Sequence, residues 1–378
     1  NHESIPKAEI DILSHLKKQM PENCTISFNE LACIDHMMGA IFGSALGSLL
    51  GLSTESSRKS LASITLQTPL GVIWSHLNDD PNTVQFLKGT VTTEIEQLVL
   101  LMRAITSSGN DQKEILQQYA HLLHQWSCEG ISEHKQERCL QEDVALQNTM
   151  RHPYFLDDPV QAAYLTCNEF SNDGSATSRT IPVSGIYKFW DEDIVKNNAK
   201  DFCCVTQYES CSIFSTVLLS LIISKIIQKA SIKSESENID INIDECIQLA
   251  LSFCGDDILE YQDDIQCLMT AESFDELVLA EGTQSFVLKS TAAAVLALRS
   301  KLNFEEAISA IIRSGGDTDT NASIVGAVIG AYVGFQNIPH NLLKYLFNGN
   351  WIFNDFAKLL LKMGLKPPES PFIKLSCL

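Results

Sequence analysis

The sequence predicts an all-α protein. Apolar residues recur at helical spacing, as at Ile95, Leu98, Val99, Met102 and Ile105. Glycines recur every fourth residue in two apolar segments. Strand-like alternation of apolar and polar residues is scarce.

The elements follow in order. Leu116–Trp126 repeats the helical stripe more weakly than Ile95–Ile105. Ile213–Ile227 is apolar on almost every face, so it should run through the middle of the protein. Phe286–Leu302 is Ala-rich and strongly helix-forming. Glu305–Ile312 continues after a short break, and Leu342–Phe347 and Phe356–Leu361 close the chain. Ser178–Tyr187 contains Pro182 and Gly185 and reads as a loop entering a helix. Ile232–Asp244 is an acidic insertion, and Ser127–Asp143 is polar. Neither separates regions of different composition, and no tandem repeat is visible, so a single domain over 1–378 is expected.

With 378 residues, 45% of them hydrophobic, the chain can bury a large core without disulfides or metal staples. A net charge of -20 argues against a nucleic-acid or anionic-membrane partner, since both need a basic face. The twelve cysteines include no CxxC pair, and only Cys203 and Cys204 are adjacent. Reduced, buried thiols in a cytoplasmic, reducing compartment are expected. The first residues carry no apolar signal-peptide core, although the chain begins at Asn1 rather than Met. Met37–Leu52, Ile213–Ile227 and Ile324–Ile338 each fall short of the ~20 apolar residues of a membrane span. They read as buried core helices.

Gly39, Gly43, Gly47 and Gly51 share one helical face, and Gly326, Gly330 and Gly334 show the same spacing. A glycine inside a helix costs up to ~1 kcal/mol relative to alanine. Close approach of another backbone offsets that cost, so the two segments should pack on each other or on a shared neighbour. Glu55 follows the first segment, and Gly315-Gly316-Asp317-Thr318-Asp319-Thr320 precedes the second. Here a Gly-Gly turn brings two carboxylates and two hydroxyls together, with the helix expected to begin at Thr320 or Asn321. Oxygen donors of this kind suit a hard cation such as magnesium. An acidic helix cap is the plainer alternative.

The stretch GGDTDTNASIVGAVIGAYVGFQNIP resembles the C-terminal signature of the ADP-ribosylglycohydrolases, and GAIFGSALGSLLGLSTE resembles their N-terminal signature. Ser178-Arg179-Thr180-Ile181-Pro182 is similar to the family's Met-Arg-x-x-Pro segment, and Thr206-Gln207 to its Thr-His motif. The order matches over roughly residues 35–350. The resemblance implies a compact orthogonal multi-helix domain with magnesium ions in a cleft. It implies a hydrolase that removes ADP-ribose from protein side chains or from a related ADP-ribosyl compound. The metal ligands carried over are Glu55, Thr93, Glu94, Asp317, Asp319 and Thr320, with Glu55, Glu94 and Asp317 as the catalytic carboxylates. Gly174, Ser175 and Gln207 are carried over to the substrate side. The implied partner is an ADP-ribosylated protein or an ADP-ribosyl small molecule.

The chain also departs from the family pattern. Ser48 stands where an Asp is frequent. Thr93-Glu94-Ile95-Glu96 stands for Thr-Asp-Asp-Thr, so Ile95 removes an oxygen and puts the second of one or two magnesium sites in question. Glu96 should point to a different helix face. Asn172-Asp173-Gly174-Ser175 carries an extra Asp in place of Asn-Gly, and Gln207 replaces a His that could titrate near neutral pH. A non-catalytic relative, structural or ADP-ribose-binding within a larger assembly, is therefore a second expectation. Three other features are assigned plain structural readings. His121, His124, Cys128, His134 and Cys139 fit no zinc spacing. Asp256-Asp257 and Asp263-Asp264 read as solvated helical faces, and Cys203-Cys204 as buried thiols.

Overall fold

The structure is a computed structural model, and its described residues are 12, 14, 28–52, 91–134, 143–167, 172–232, 239–281 and 286–372. Regular structure among them is helical, apart from one isolated bridge between Asp173 and Phe286. The α-helices are α1 (Glu30–Gly51), α2 (Thr93–Ser107), α3 (Gln112–Glu129), α4 (Val144–Met150) and α5 (Pro159–Thr166). Next come α6 (Ser175–Ile186), α7 (Glu192–Cys204), α8 (Ser210–Ile232), α9 (Ile243–Cys254) and α10 (Gln262–Met269). The last are α11 (Val287–Arg299), α12 (Phe304–Ser314), α13 (Thr318–Val333), α14 (His340–Leu343) and α15 (Gly349–Lys362).

Local chemistry sets many of the starts. Asn29, Asp111, Asp143, Asp158, Asp191 and Asn242 each accept a backbone N–H from the first turn of α1, α3, α4, α5, α7 and α9. At α12, Asn303 and Glu306 form a reciprocal capping box.

The glycine helices α1 and α13 run antiparallel with their backbones in contact. A Cβ on Gly39 would lie 2.0 Å from the Gly330 carbonyl oxygen, and one on Gly43 would lie 2.2 Å from that of Gly326. Gly47 meets Ala322 at 2.0 Å and Gly51 meets Thr318 at 2.2 Å in the same way. The two segments therefore pack on each other directly. Hydroxyls complete the joint with α6: Ser44 and Ser178 both bond Ser323 Oγ, each at 2.9 Å. Helix α8 runs through the core, as its all-round apolarity predicts, and touches α1, α6, α7, α9, α11 and α13.

Three expectations are corrected. Ser178–Tyr187 is not a loop: helix α6 runs through it with Pro182 inside, and every residue from Ser175 to Ile186 is buried. Packing on all sides outweighs the hydrogen bond that Pro182 cannot donate. Hydroxyls bond within this helix, from Thr180 to the Ala176 carbonyl (2.6 Å) and from Ser184 to that of Thr180 (2.8 Å). Helix α13 begins at Thr318, so Thr318, Asp319 and Thr320 form its first turn rather than a loop before it. Helices α1 and α8, at 22 and 23 residues, exceed the apolar runs from which they were inferred and are long and apolar enough to cross a membrane. In each, 89% of the apolar window is buried inside the protein, as expected of core helices.

The polar segment Ser127–Asp143 contributes the end of α3, a 3-10 turn at Ser132–His134 and the cap of α4, while 135–142 lie outside the described residues. The acidic insertion ends in the first turn of α9, and 233–238 lie outside the described residues. No disulfide occurs among the described residues, and Cys203 and Cys204 are buried. The two Asp pairs near α10 are exposed.

Candidate active site

The Gly-Gly turn places the first carboxylate. Gly315 and Gly316 have φ of 68° and 87°, which only glycine adopts freely. At Gly316 a side chain is also excluded by space, since a Cβ would sit 2.3 Å from the Leu279 carbonyl oxygen. The chain then turns into α13 with Asp317 as N-cap, although its side chain caps no backbone N–H. Thr318 donates to the Gly51 carbonyl at 2.6 Å, joining the end of α1 to the start of α13. Asp319 Oδ1 accepts the Thr320 N–H at 2.8 Å.

Helix α2 supplies the next group. Its N-cap Thr92 shares a 2.7 Å hydroxyl bond with Ser48, so Ser48 ties α1 to α2. Thr93 is buried, and its hydroxyl lies 3.4 Å from Glu94 Oε2 as donor. Burial lifts the Glu94 carboxyl to about 7, and the negative charges of Asp317 and Asp143 push the same way. The Glu94 backbone N–H and the Thr92 hydroxyl oppose this. Glu94 thus feels the charges of Asp317 and Asp143, which come from the starts of α13 and α4.

Helix α6 begins beside them. A Cβ on Gly174 would lie 2.9 Å from Thr320 Cγ2, which makes this glycine the contact between the starts of α6 and α13. Asp173 Oδ1 accepts from Ser175 N (3.0 Å), Ser175 Oγ (2.5 Å) and Gln207 Nε2 (2.7 Å). The other end of the Gln207 amide accepts the Ala176 N–H at 2.8 Å. Burial raises the Asp173 carboxyl to about 6, with the charge of Asp143 adding to the rise. The fully buried Arg179 donates to Asp143 Oδ2 at 3.0 Å and to the Thr206 hydroxyl. The starts of α2, α4, α6 and α13 therefore bring acidic groups together, and burial disfavours the charged forms of Glu94 and Asp173.

Of the residues expected from sequence, Glu94 and Asp317 interact electrostatically, Gly174 packs on Thr320, and Ser175 and Gln207 both donate to Asp173. Glu55 lies outside the described residues. Ile95 is 1% exposed in the core. Glu96 faces away, as expected, accepting Trp126 Nε1 at 2.7 Å and lying 3.3 Å from His134 Nδ1. His134 is thereby a structural residue, bonded also to Asn348 (2.8 Å). Asp143 also reaches the site, a role its sequence setting does not reveal. A lone Asp between a polar stretch and Val-Ala-Leu looks like a cap, which it also is.

The donors Glu94, Asp317, Asp319, Thr93 and Thr320 are all oxygen, the chemistry a hard cation prefers. Among the described residues, however, no three His, Cys, Asp or Glu side chains gather closely enough to hold a metal ion.

The family model for ADP-ribosylglycohydrolase matches residues 29–368. A solved structure described as an ADP-ribosylglycohydrolase-related protein complex is similar in fold, with a TM-score of 0.57 at 18% identity. The match covers 88% of this chain and 97% of that one. No curated protein matches the sequence. The family match spans nearly every element that builds the acidic pocket, and the chain belongs to the ADP-ribosylglycohydrolase family.

Proposed function

We propose that the chain is a magnesium-dependent hydrolase that releases ADP-ribose from modified protein side chains, working at the pocket of Glu94, Asp143 and Asp317. One observation carries the reading. Two acidic groups far apart in sequence, Glu94 in the first turn of α2 and Asp317 at the N-cap of α13, are close enough that the charge of one acts on the other. Glu94, its carboxyl raised by burial in the absence of a cation, suits proton transfer to a leaving group. The carboxylate of Asp317, which caps no backbone N–H, would stabilise positive charge developing at a sugar carbon. Asp319, Thr93 and Thr320 supply further oxygens toward a cation. Magnesium bound there, with Glu55 among its ligands, would supply Lewis-acid polarisation of sugar hydroxyls.

The alternative is a relative that keeps the fold and has lost the chemistry. Asp173 and Gln207 favour it, since they cover the first N–H groups of α6. Those groups would otherwise be open to a substrate phosphate.

The deciding experiment measures release of ADP-ribose from Arg- and Ser-modified proteins with magnesium, using Asp317→Ala as control. Release by the native chain and its loss in the variant support the hydrolase. No release at high protein concentration sinks it. Thermal stabilisation by ADP-ribose alone would then leave the binding relative.

A further inference from the structure

The Gly-Gly turn ahead of Asp317 leans on a segment from before α11. A Cβ on Gly316 would meet the Leu279 carbonyl oxygen at 2.3 Å, its carbon at 2.9 Å and Ala280 Cα at 3.2 Å. Leu279 and Ala280 are both buried there. Asp317 caps no backbone N–H of α13, so its place depends on the backbone that precedes it. That backbone is Gly315 and Gly316, both at positive φ, which turn freely unless a neighbour confines them.

The confining segment is itself strained. Val278 has φ of 48°, in the left-handed region that a β-branched residue avoids. Its side chain is 42% exposed, so core packing does little to hold it there. Backbone bonds within the turn are long. The Val278 N–H reaches the Asp275 carbonyl at 3.4 Å, and the Glu281 N–H reaches that of Val278 at 3.3 Å. Two shorter bonds come from α11. Lys289, in its first turn, donates through Nζ to the Val278 carbonyl at 3.0 Å and to the Glu281 carbonyl at 2.9 Å. One ammonium thus brackets residues 278–281, and α11 in turn packs on α13. Burial pushes this ammonium below its ordinary value, opposed by the charge of Glu281. We infer that Lys289 is a positioning residue for Asp317. It holds 278–281 in the strained turn and so fixes the Gly-Gly turn from which the carboxylate projects. Its effect on catalysis rests on the hydrolase reading, whereas the geometry stands without it.

Hydrogen exchange of the full chain, read peptide by peptide, tests the clamp, and ADP-ribose release is measured in parallel. Lys289→Met removes both bonds at similar side-chain length. It should speed exchange over 278–281 and 315–318 roughly ten-fold, with α8 unchanged. Lys289→Arg can donate to both carbonyls and should keep the native protection. Val278→Gly added to Lys289→Met should restore protection in part, because glycine adopts this φ without strain. In kinetics, Lys289→Met should lower kcat roughly ten-fold with KM within about two-fold, and Lys289→Arg should retain the native kcat. Unchanged exchange over 315–318 overturns the inference, whether or not the chain hydrolyses anything. Equal acceleration in α8 overturns it too, by marking a general loss of stability, as does rescue by neither Arg nor Gly. An unaltered kcat in an active chain also overturns it. If the native chain releases no ADP-ribose, the hydrolase reading falls, and exchange with its two rescues decides the clamp.

Discussion

Glu96 accepts a hydrogen bond from the indole of Trp126 at 2.7 Å, with both side chains buried. This bond commits the Glu96 carboxylate to the packing of α2 on α3, on the helix face opposite to that expected of a site residue. Glu96→Ala should therefore cost about 1–3 kcal/mol of stability, the penalty for an orphaned buried N–H. Glu96→Gln, which keeps an acceptor, should cost less. ADP-ribose release per folded molecule should stay unchanged in both, which urea denaturation and activity measured side by side would check.

The glycine joint between α1 and α13 makes a sharper stability prediction. Gly43→Ala places a Cβ 2.2 Å from the Gly326 carbonyl oxygen, where the neighbour is backbone and cannot swing away. A loss of about 3 kcal/mol or more is expected. Gly255→Ala is the comparison, since nothing lies within 4 Å of its Cβ position and only its φ of 59° is unfavourable. That variant should lose about 1 kcal/mol. Equal losses would show that backbone contact does not hold the two helices.

Asp173 gives a pH dependence with a definite sign. Its carboxyl rises from an ordinary 3.8 to about 6, through burial first and then the charge of Asp143. The folded state thus binds its proton more tightly than the unfolded chain. The resulting stability is full below pH 3.8 and is lost as pH rises to about 6. All three bonds to this side chain end on Oδ1, so Asn can accept them unchanged. Asp173→Asn should remove this loss and be roughly 1–3 kcal/mol more stable than the native chain at pH 7. Denaturation midpoints across pH 4–7, without added divalent ions, would test it.

Arg179 and Asp143 form a buried pair that joins α6 to the cap of α4. Arg179→Met strands the Asp143 carboxylate and should cost about 3–5 kcal/mol. Asp143→Asn keeps the Leu146 cap and should recover part of that loss in the double variant. A double-mutant cycle with no coupling between the two sites would contradict the pairing.

Much of this architecture is legible in sequence. Four-residue glycine spacing announces close helix contact, and the all-round apolarity of Ile213–Ile227 announces a central helix. Pro182 misleads because local propensity speaks against a helix that burial on every face maintains. The start of α13 is misplaced by two or three residues because a Gly-Gly-Asp-Thr run looks like a cation loop and a helix cap alike. Asp143 is hidden for another reason. Its part in the pocket depends on Arg179 and Glu94 arriving from other helices, and no spacing rule links them. The burial of Ile95 adds a practical point. Ile95→Asp would place an unpaired charge in the core, so it would test folding before it tested metal binding.

The contact between Gly51 and Thr318 has a consequence for biosynthesis. The bonded residues are 267 positions apart, so α1 leaves the ribosome long before its partner exists. At ordinary elongation rates the delay is roughly 15–55 s. Throughout that interval an apolar helix, notched by glycines and able to fit closely against a similar surface, lacks its mate. Nascent chains on one polysome offer such surfaces to each other. Correct maturation thus depends on keeping the first helix sequestered until the last third of the polypeptide has been made.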